Sequence, residues 1–517
     1  MKKTLRRLLI MLTAIPMVML QSCTQGEGKT NEDLITLVII IDGLRKDYIS
    51  ETNTPNLYKI TQKGVVGDKN RSVFPTVTRV NSTSYATGSY PKTHGILGNS
   101  IYLPSVNALK GINTGDADAL MEADQVENGK LLHTSTFGEA VEKSGNTTFT
   151  VFSTGSTGQS YLLNQKISGK GIINPDLLLP NGLEEEVVGQ IGNYPAKTKP
   201  NKPRHIWVTD AFIEYALKKS GSSINTIWYS DPDGTAHGEG IGSEITMEAI
   251  KGVDEQVGRI LAYVAENDME DQFNLLISAD HGFATHKGNP GLVDFLVEKG
   301  LKESKESEDV VVVGGAIYLK SSDQEKVQKI VSALQQETWV GAIFTESAEE
   351  NKDMGVIPGT LSFSLINWDH PERAADILVD VNWTSEINEF GYEGFTYNRG
   401  VAGHGSSSPY EVPTPFLALG PSFKTNYANQ FPTSMIDIMP TVLHIHGIQP
   451  IDRPDGRVMH EILKESDKLN DLGKVNQEEV KTSVINGASH YELSLFRTHY
   501  GSYQYLDFTQ TTRKSEN

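Results

Sequence analysis

The sequence predicts an α/β fold: a doubly wound, mostly parallel sheet flanked by helices, with an inserted α+β cap subdomain. Three observations carry that prediction. The apolar, β-rich runs Leu34–Ile41, Ile224–Tyr229 and Phe273–Ala279 each lead closely into an Asp. Near-continuous apolar runs of this length suit strands buried on both faces of a parallel sheet. Helical segments alternate with them, as in doubly wound sheets. From about Phe283 to Gly400 the pattern changes to short strands around one helix, which reads as an insertion.

The 517 residues allow one large α/β domain with insertions, or two domains, and a sizeable core. The formal net charge of −19 leaves no basic surplus for phosphate backbones, so nucleic-acid binding is not expected. A small phosphorylated substrate stays open, because local cations can dominate a site. Residues 1–22 read as a signal peptide: Lys2, Lys3, Arg6 and Arg7 precede the apolar run Leu8–Leu20, which is short for a membrane span. Leu20-Gln21-Ser22-Cys23 resembles a bacterial lipobox, whose Cys is lipidated and becomes the new N-terminus. A plain signal peptide with a coincidental Cys is the alternative. Cys23 is the only cysteine, which a core or disulfide role does not explain. The expectation is an exported lipoprotein on a periplasmic or outer-membrane face, with 23–33 as a polar tether.

The elements follow in order. Leu34–Ile41 is the first strand, closed by Asp42-Gly43. Asn53–Gly64 reads as a short helix with Thr54 as N-cap, Pro55 at the first position and Gly64 at the C-terminus. Thr78–Thr87 lacks Gly and Pro and reads as a helix closed by Gly88. Residues 101–220 are the least regular, with a helix near Thr136–Lys143 and a strand at Thr147–Phe152; they read as a substrate-facing elaboration. Ile206–Lys219 resembles a helix before the strand Ile224–Tyr229. In Met247–Ala265 the residues Ile250, Val253, Val257, Ile260, Leu261 and Val264 share one helical face. The insertion, 283–400, holds strands at Val310–Leu319, Ala342–Phe344, Thr360–Ile366 and Ala375–Val381 around the helix Asp323–Gln336. The core, 34–282, resumes over 401–517, with a strand at Phe416–Leu419, a helix near Ser434–His446 and a hairpin over Glu492–Phe508 turning at Gly501. Ser434 with Asp437 is a capping-box pattern.

Four motifs carry chemistry. Asp280-His281-Gly282 follows a strand and presents two metal-ligand types at a turn. Asp233 and His237 stand four apart after another strand, so a helical turn would put both on one ion; Asp231 competes for the carboxylate role. Gly403-His404-Gly405 exposes a His between glycines. Thr78, at the start of a helix, can be an activated nucleophile, since the helix dipole favours developing anionic charge and a bound dication lowers the hydroxyl pKa. Asn99 can donate an amide hydrogen bond to a substrate oxygen. Each motif alone also reads as a surface turn or a helix cap.

Together they resemble the type I phosphodiesterase / nucleotide pyrophosphatase family of the alkaline phosphatase superfamily. The matching pieces are Asp42-Gly43, Pro75-x-x-Thr78-x-x-Asn81, Thr87-Gly88-x-Tyr90-Pro91-x-x-His94-Gly95-Ile96, Asn99, Asp233-x-x-x-His237, Asp280-His281-Gly282 and Gly403-His404-Gly405. They span Leu34 to about Gly447; residues 101–220 and the C-terminal tail resemble the family poorly. The resemblance implies an alkaline-phosphatase-like fold and two Zn²⁺ per chain. Asp233, His237 and His404 would hold one ion. Asp42, Asp280 and His281 would hold the other, with the Thr78 oxygen. Mn or Fe also suits these ligand types. Thr78 would attack phosphorus and form a phospho-threonine, and Asn99 would hold a non-bridging oxygen.

One residue departs from the family pattern. The diesterases usually carry Phe after the nucleophile, and this chain has Arg79. An Arg there can bind a phosphate oxygen, which favours the alternative of a phosphomonoesterase or phosphonate hydrolase. Arg79 on the outer face of its helix is the other reading. A sulfatase needs a Cys or Ser nucleophile, and a phosphoglycerate mutase a Ser. A non-catalytic surface lipoprotein would lack ligands, and all seven metal-site residues are present.

Overall fold

The computed structural model describes residues 33–321, 323–464, 472–486 and 489–515. The expected signal peptide, Cys23 and all but the last tether residue lie outside them. No helix among the described residues is long and apolar enough to cross a membrane.

Nine strands make the central layer: β1 (Ile35–Ile41), β2 (Val65–Gly67), β3 (Thr148–Ser153), β4 (Gly171–Asn174), β5 (Leu177–Leu179), β6 (Ser223–Tyr229), β7 (Phe273–Ser278), β8 (Phe416–Leu419) and β9 (Tyr427–Asn429). Their order is β9-β2-β8-β7-β1-β6-β3-β4-β5. The run from β7 through β1, β6 and β3 to β4 is parallel. β8 lies antiparallel between β7 and β2, and β5 closes the far edge antiparallel. Every residue of β1 is buried. Leu37, Ile39 and Ile41 face one core and Val38 and Ile40 the other, as its continuous apolar run requires. On the first face packs a helix of 23 residues, Glu244–Glu266, through Ile250, Val253, Val257 and Ile260. The helices Thr78–Thr87 and Ile438–Ile445 cover the second, with Val80, Tyr85, Met439 and Val442.

Parallel packing of the three middle strands positions the site. β1 aligns Ile40 with Ser278 of β7 and Ile41 with Tyr229 of β6. Three carboxyl ends therefore lie side by side, where an open α/β sheet places its ligands.

The irregular segment 101–220 does more than elaborate the surface. It supplies β3, β4 and β5, one whole edge of the sheet. Within the insertion, Val310–Val313, Ala316–Leu319, Ile377–Val381, Val340–Thr345 and Leu361–Ser362 form a five-stranded sheet beside the helix Gln324–Leu334. The strand expected over Thr360–Ile366 stops after Ser362 and becomes the 3-10 turn Phe363–Ile366, because Ser362 caps Ser364 and Asn367 turns the chain left-handed. A helix at Leu292–Glu298 was not foreseen. A small sheet of Trp383–Ile387, Glu393–Thr396, Ala284–His286 and Ala402–Gly403 joins both ends of the insertion to the core.

The tail forms the hairpin expected around Gly501, Ser489–Tyr500 with Tyr503–Ser515, longer than expected and joined by a third strand, Val475–Asn486, as a three-stranded meander in a sheet of its own. Tyr491 Oη donates to Gly341 O (2.8 Å) and Arg513 Nη2 to Val340 O (2.7 Å), both in the insertion. Arg71 of the core reaches Asp507, Nε to Oδ1 at 2.7 Å. The meander thus clamps insertion to core.

All three pieces meet at Asp380. Its Oδ2 accepts from Ser407 N (2.9 Å) and the Ser407 hydroxyl, and Ser407 Oγ lies 2.5 Å from Thr509 Oγ1. Burial, with nearby Glu411 adding, pushes the Asp380 carboxyl up to about 7. In an unfolded chain an Asp titrates near 3.9. The folded state therefore binds the extra proton between those values, and stability falls as pH rises from about 4 to about 7, then levels. Asp380→Asn removes this decline. Relative to the wild type, the variant is expected to gain about 2–3 kcal/mol between pH 5 and pH 8. Denaturant melts at the two pH values check it; the unmet amide hydrogen of Asn is a pH-independent offset.

Candidate metal centre

Asp42 directly follows β1, Asp280 lies two residues past β7, and Asp233 opens the helix Asp233–Glu239 just past β6. That helix puts His237 one turn on, with Nε2 3.1 Å from Asp233 Oδ1. His404 arrives from the loop after Ala402–Gly403, with Nε2 3.2 Å from the same oxygen. In the second group His281 Nε2 lies 3.1 Å from Asp280 Oδ2 and 3.5 Å from Asp42 Oδ1. Asp233, His237 and His404 each offer a ligand atom within 4.8 Å of the others, and so do Asp42, Asp280 and His281. The groups abut through the stacked His281 and His404 rings, whose centroids are 3.5 Å apart. Asp231 does not join them; it accepts from Asn201 N and Thr235 Oγ1 instead.

The surrounding hydrogen bonds aim each ligand inward. The Nδ1 atoms of His237, His281 and His404 pair with the carbonyls of Ala402 (3.0 Å), Gly282 (3.0 Å) and Thr76 (2.8 Å). An Nδ1–H donated outward leaves a lone pair on each Nε2. The carboxylates follow the same plan. Trp228 Nε1 donates to Asp42 Oδ2 (2.9 Å) and Gly43 N to Asp280 Oδ1 (3.1 Å). Asp42 Oδ1, Asp233 Oδ1 and Asp280 Oδ2 are buried with no hydrogen-bond partner among the described residues. Buried unpaired oxygens are costly, and a cation satisfies them. Burial, then Asp280 and Asp233, push the Asp42 carboxyl well above its ordinary range, a crowding that a dication would relieve. Burial, then His281, lowers His404 to about 4, so it stands neutral as a ligand must.

Gly43 turns the chain after Asp42 with φ of 71°, a left-handed geometry that favours glycine. Gly403 has a steric reason: a Cβ there would lie 2.7 Å from His286 Cε1 and 3.1 Å from His237 Cε1.

Thr78 opens the helix Thr78–Thr87 with its Oγ1 3.3 Å from His281 Nε2. Asn99 Oδ1 accepts from Arg79 N (3.1 Å), which leaves the Asn99 amide hydrogens as donors. Arg79 is half-buried, and among the described residues its Nε has no acceptor. A cavity of about 570 Å³ opens over the site. Asn99, His237 and His404 line it together with Tyr318, Trp339 and Arg399 of the insertion.

Sequence reasoning missed the supporting residues. Trp228 reads as strand core. Thr76 and Glu411, which hold the His404 loop through Thr76 Oγ1 to Ser406 O (2.7 Å) and Ser406 N to Glu411 Oε2 (2.6 Å), carry no motif. Only the proximity of Thr76 to Thr78 hinted at a role.

The sequence model of the type I phosphodiesterase / nucleotide pyrophosphatase family matches residues 36–405. Mouse (Mus musculus) ectonucleotide pyrophosphatase/phosphodiesterase family member 7 is 24% identical over 294 residues, covering 55% of this chain and 58% of that protein. The chain therefore spans little more than half the length of that relative. Among solved structures, murine ectonucleotide pyrophosphatase / phosphodiesterase 5 gives a TM-score of 0.58 at 18% identity, over 81% of this chain and 96% of the other. Wild-type alkaline phosphatase PafA gives 0.64 at 16% identity, over 84% and 99%. At these identities the structures speak for the fold, and the alkaline-phosphatase-like α/β class read from the sequence is borne out.

Proposed function

Because the chain belongs to the type I phosphodiesterase / nucleotide pyrophosphatase family, we propose that it is a metal-dependent hydrolase of phosphate esters, acting on phosphodiester or pyrophosphate bonds with Thr78 as nucleophile. One observation carries the reading: two three-residue groups turn their unpartnered carboxylate oxygens towards imidazole Nε2 atoms beside a helix-opening threonine. The donor set fits two Zn²⁺ ions, one on Asp233, His237 and His404 and one on Asp42, Asp280, His281 and Thr78; Mn or Fe fits less well. Bound there, the metals would supply Lewis-acid stabilisation of oxygen charge and lower the pKa of a nearby hydroxyl or water.

The chain's own groups do the rest. Thr78 Oγ1 gives up its proton to solvent and forms a bond to phosphorus while the opposite P–O bond breaks; that oxygen departs with its group as an alcohol or phosphate, leaving a phospho-threonine. A water oxygen then bonds to the same phosphorus as the Oγ1–P bond breaks, and Thr78 regains a proton. The positive end of the helix Thr78–Thr87 favours the anion throughout. The Asn99 amide donates to a non-bridging oxygen. The insertion, 283–400, acts as a cap over the substrate. The natural substrate is a small phosphorylated molecule, met by an exported lipoprotein anchored through Cys23.

The test is hydrolysis of bis-p-nitrophenyl phosphate by metal-replete protein, with p-nitrophenyl phosphate as first product. Protein that carries its metals and cleaves no phosphate ester would end the reading. Trp228→Phe probes the support behind Asp42. Losing that hydrogen bond is expected to weaken metal binding by about 10–100-fold, as read by competition with a chromophoric chelator.

A further inference from the structure

We infer that Arg79 extends the Thr78 site to accept a terminal, doubly ionised phosphoryl group, so that phosphomonoesters are substrates alongside diesters. The inference rests on the phosphohydrolase reading of this site and names its charge selection.

Arg79 directly follows Thr78 on the same helix, and its own N–H holds Asn99. Its guanidinium forms no ion pair or hydrogen bond among the described residues, and its Nε is buried without a partner. The carboxylates whose charge acts on it are those of Asp42, Asp233 and Asp280. Those three carboxylates belong to the metal groups, and two dications would more than cancel their charge. A half-buried, unpaired Arg is costly to keep, and an anionic ligand offsets that cost.

A rigid wall stands beside the guanidinium. A Cβ on Gly115 would lie 3.2 Å from Arg79 Nη2 and 3.5 Å from its Cζ. The loop carrying Gly115 is fixed on both sides: Thr114 N donates to Asn99 O (3.2 Å), and Gly115 O accepts from Gly158 N (3.0 Å). One loop thus seats Arg79 and Asn99 together. The attacked phosphoryl of a diester carries one negative charge; that of a monoester carries close to two at neutral pH, with a second pKa near 6. The planar guanidinium can take two of its oxygens, and the added charge strengthens both hydrogen bonds.

The test compares wild type, Arg79→Lys and Arg79→Leu, each with two metal ions per chain, on p-nitrophenyl phosphate and bis-p-nitrophenyl phosphate. Wild type is expected to cleave both. Arg79→Leu is expected to lose about 30-fold or more in kcat/KM on the monoester and less than about 3-fold on the diester, with Arg79→Lys between. Inorganic phosphate, titrated calorimetrically, should lose affinity for Arg79→Leu by a similar factor, with melting unchanged. An equal loss on both esters, no loss on either, or a melting temperature lowered by more than about 5 °C would overturn the inference. Wild type cleaving diesters but not monoesters would overturn it and leave the phosphohydrolase reading standing. Wild type cleaving neither would take both down.

Discussion

Thr78→Ala is expected to cut kcat/KM on any phosphate ester by about 10⁴-fold or more, because removing a nucleophile leaves only binding and electrostatic stabilisation. The fold should hardly notice. The helix N-cap is Val77, which makes no side-chain cap, and among the described residues the Thr78 hydroxyl has only the 3.3 Å contact with His281. Melting is expected to stay within about 2 °C of wild type, since no core contact or cap is lost. Thr78→Ser keeps the oxygen on a freer side chain and should retain much more activity. Full activity in Thr78→Ala would end the nucleophile assignment, and a collapsed melting curve would make the comparison turn on Thr78→Ser.

Metal removal is the second large effect. Exhaustive chelation is expected to take activity to background, and Zn²⁺ to restore it at about two ions per chain. Stability should fall as well. Without cations three carboxylate oxygens stay buried with no hydrogen-bond partner among the described residues, and the Asp42 carboxyl is already driven up by burial and by Asp280 and Asp233. Each ion bound at 100 times its dissociation constant contributes about 2.7 kcal/mol. His404→Ala should lower the stoichiometry by one and leave the Asp42, Asp280, His281 group loaded. Elemental analysis beside melting curves decides it; fewer than about two ions in wild type would undercut the dinuclear reading.

The fold was most legible where burial is two-sided. β1, β6 and β7 show as continuous apolar runs, and the helix Glu244–Glu266 shows a clean stripe, because central elements have little freedom in composition. β4 and β5 did not show. They are four and three residues long, at a sheet edge, too short for a period to register. The meander was half seen, because its first strand is largely exposed and reads as a polar linker.

The site was legible for a related reason. Ligands that end parallel strands carry their position in the sequence, so Asp42, Asp233 and Asp280 stand out once the strands are found. His404 needed the family pattern, since it arrives on a loop. The groups that orient the ligands were illegible. Trp228 and Ser406 act through backbone direction and hydrogen bonds across more than a hundred residues, as Trp228 does to Asp42. The surroundings of Arg79 depend on Gly115, a residue with no side chain to signal anything.

The direction of β1 has a consequence for how the molecule stands on a surface. The chain enters the strand at Ile35 and reaches Asp42 only at its far end. Seven residues of strand cover about 23 Å. A hold on the chain upstream of Leu34 therefore acts at the end of β1 opposite Asp42, a strand's length from the candidate metal centre.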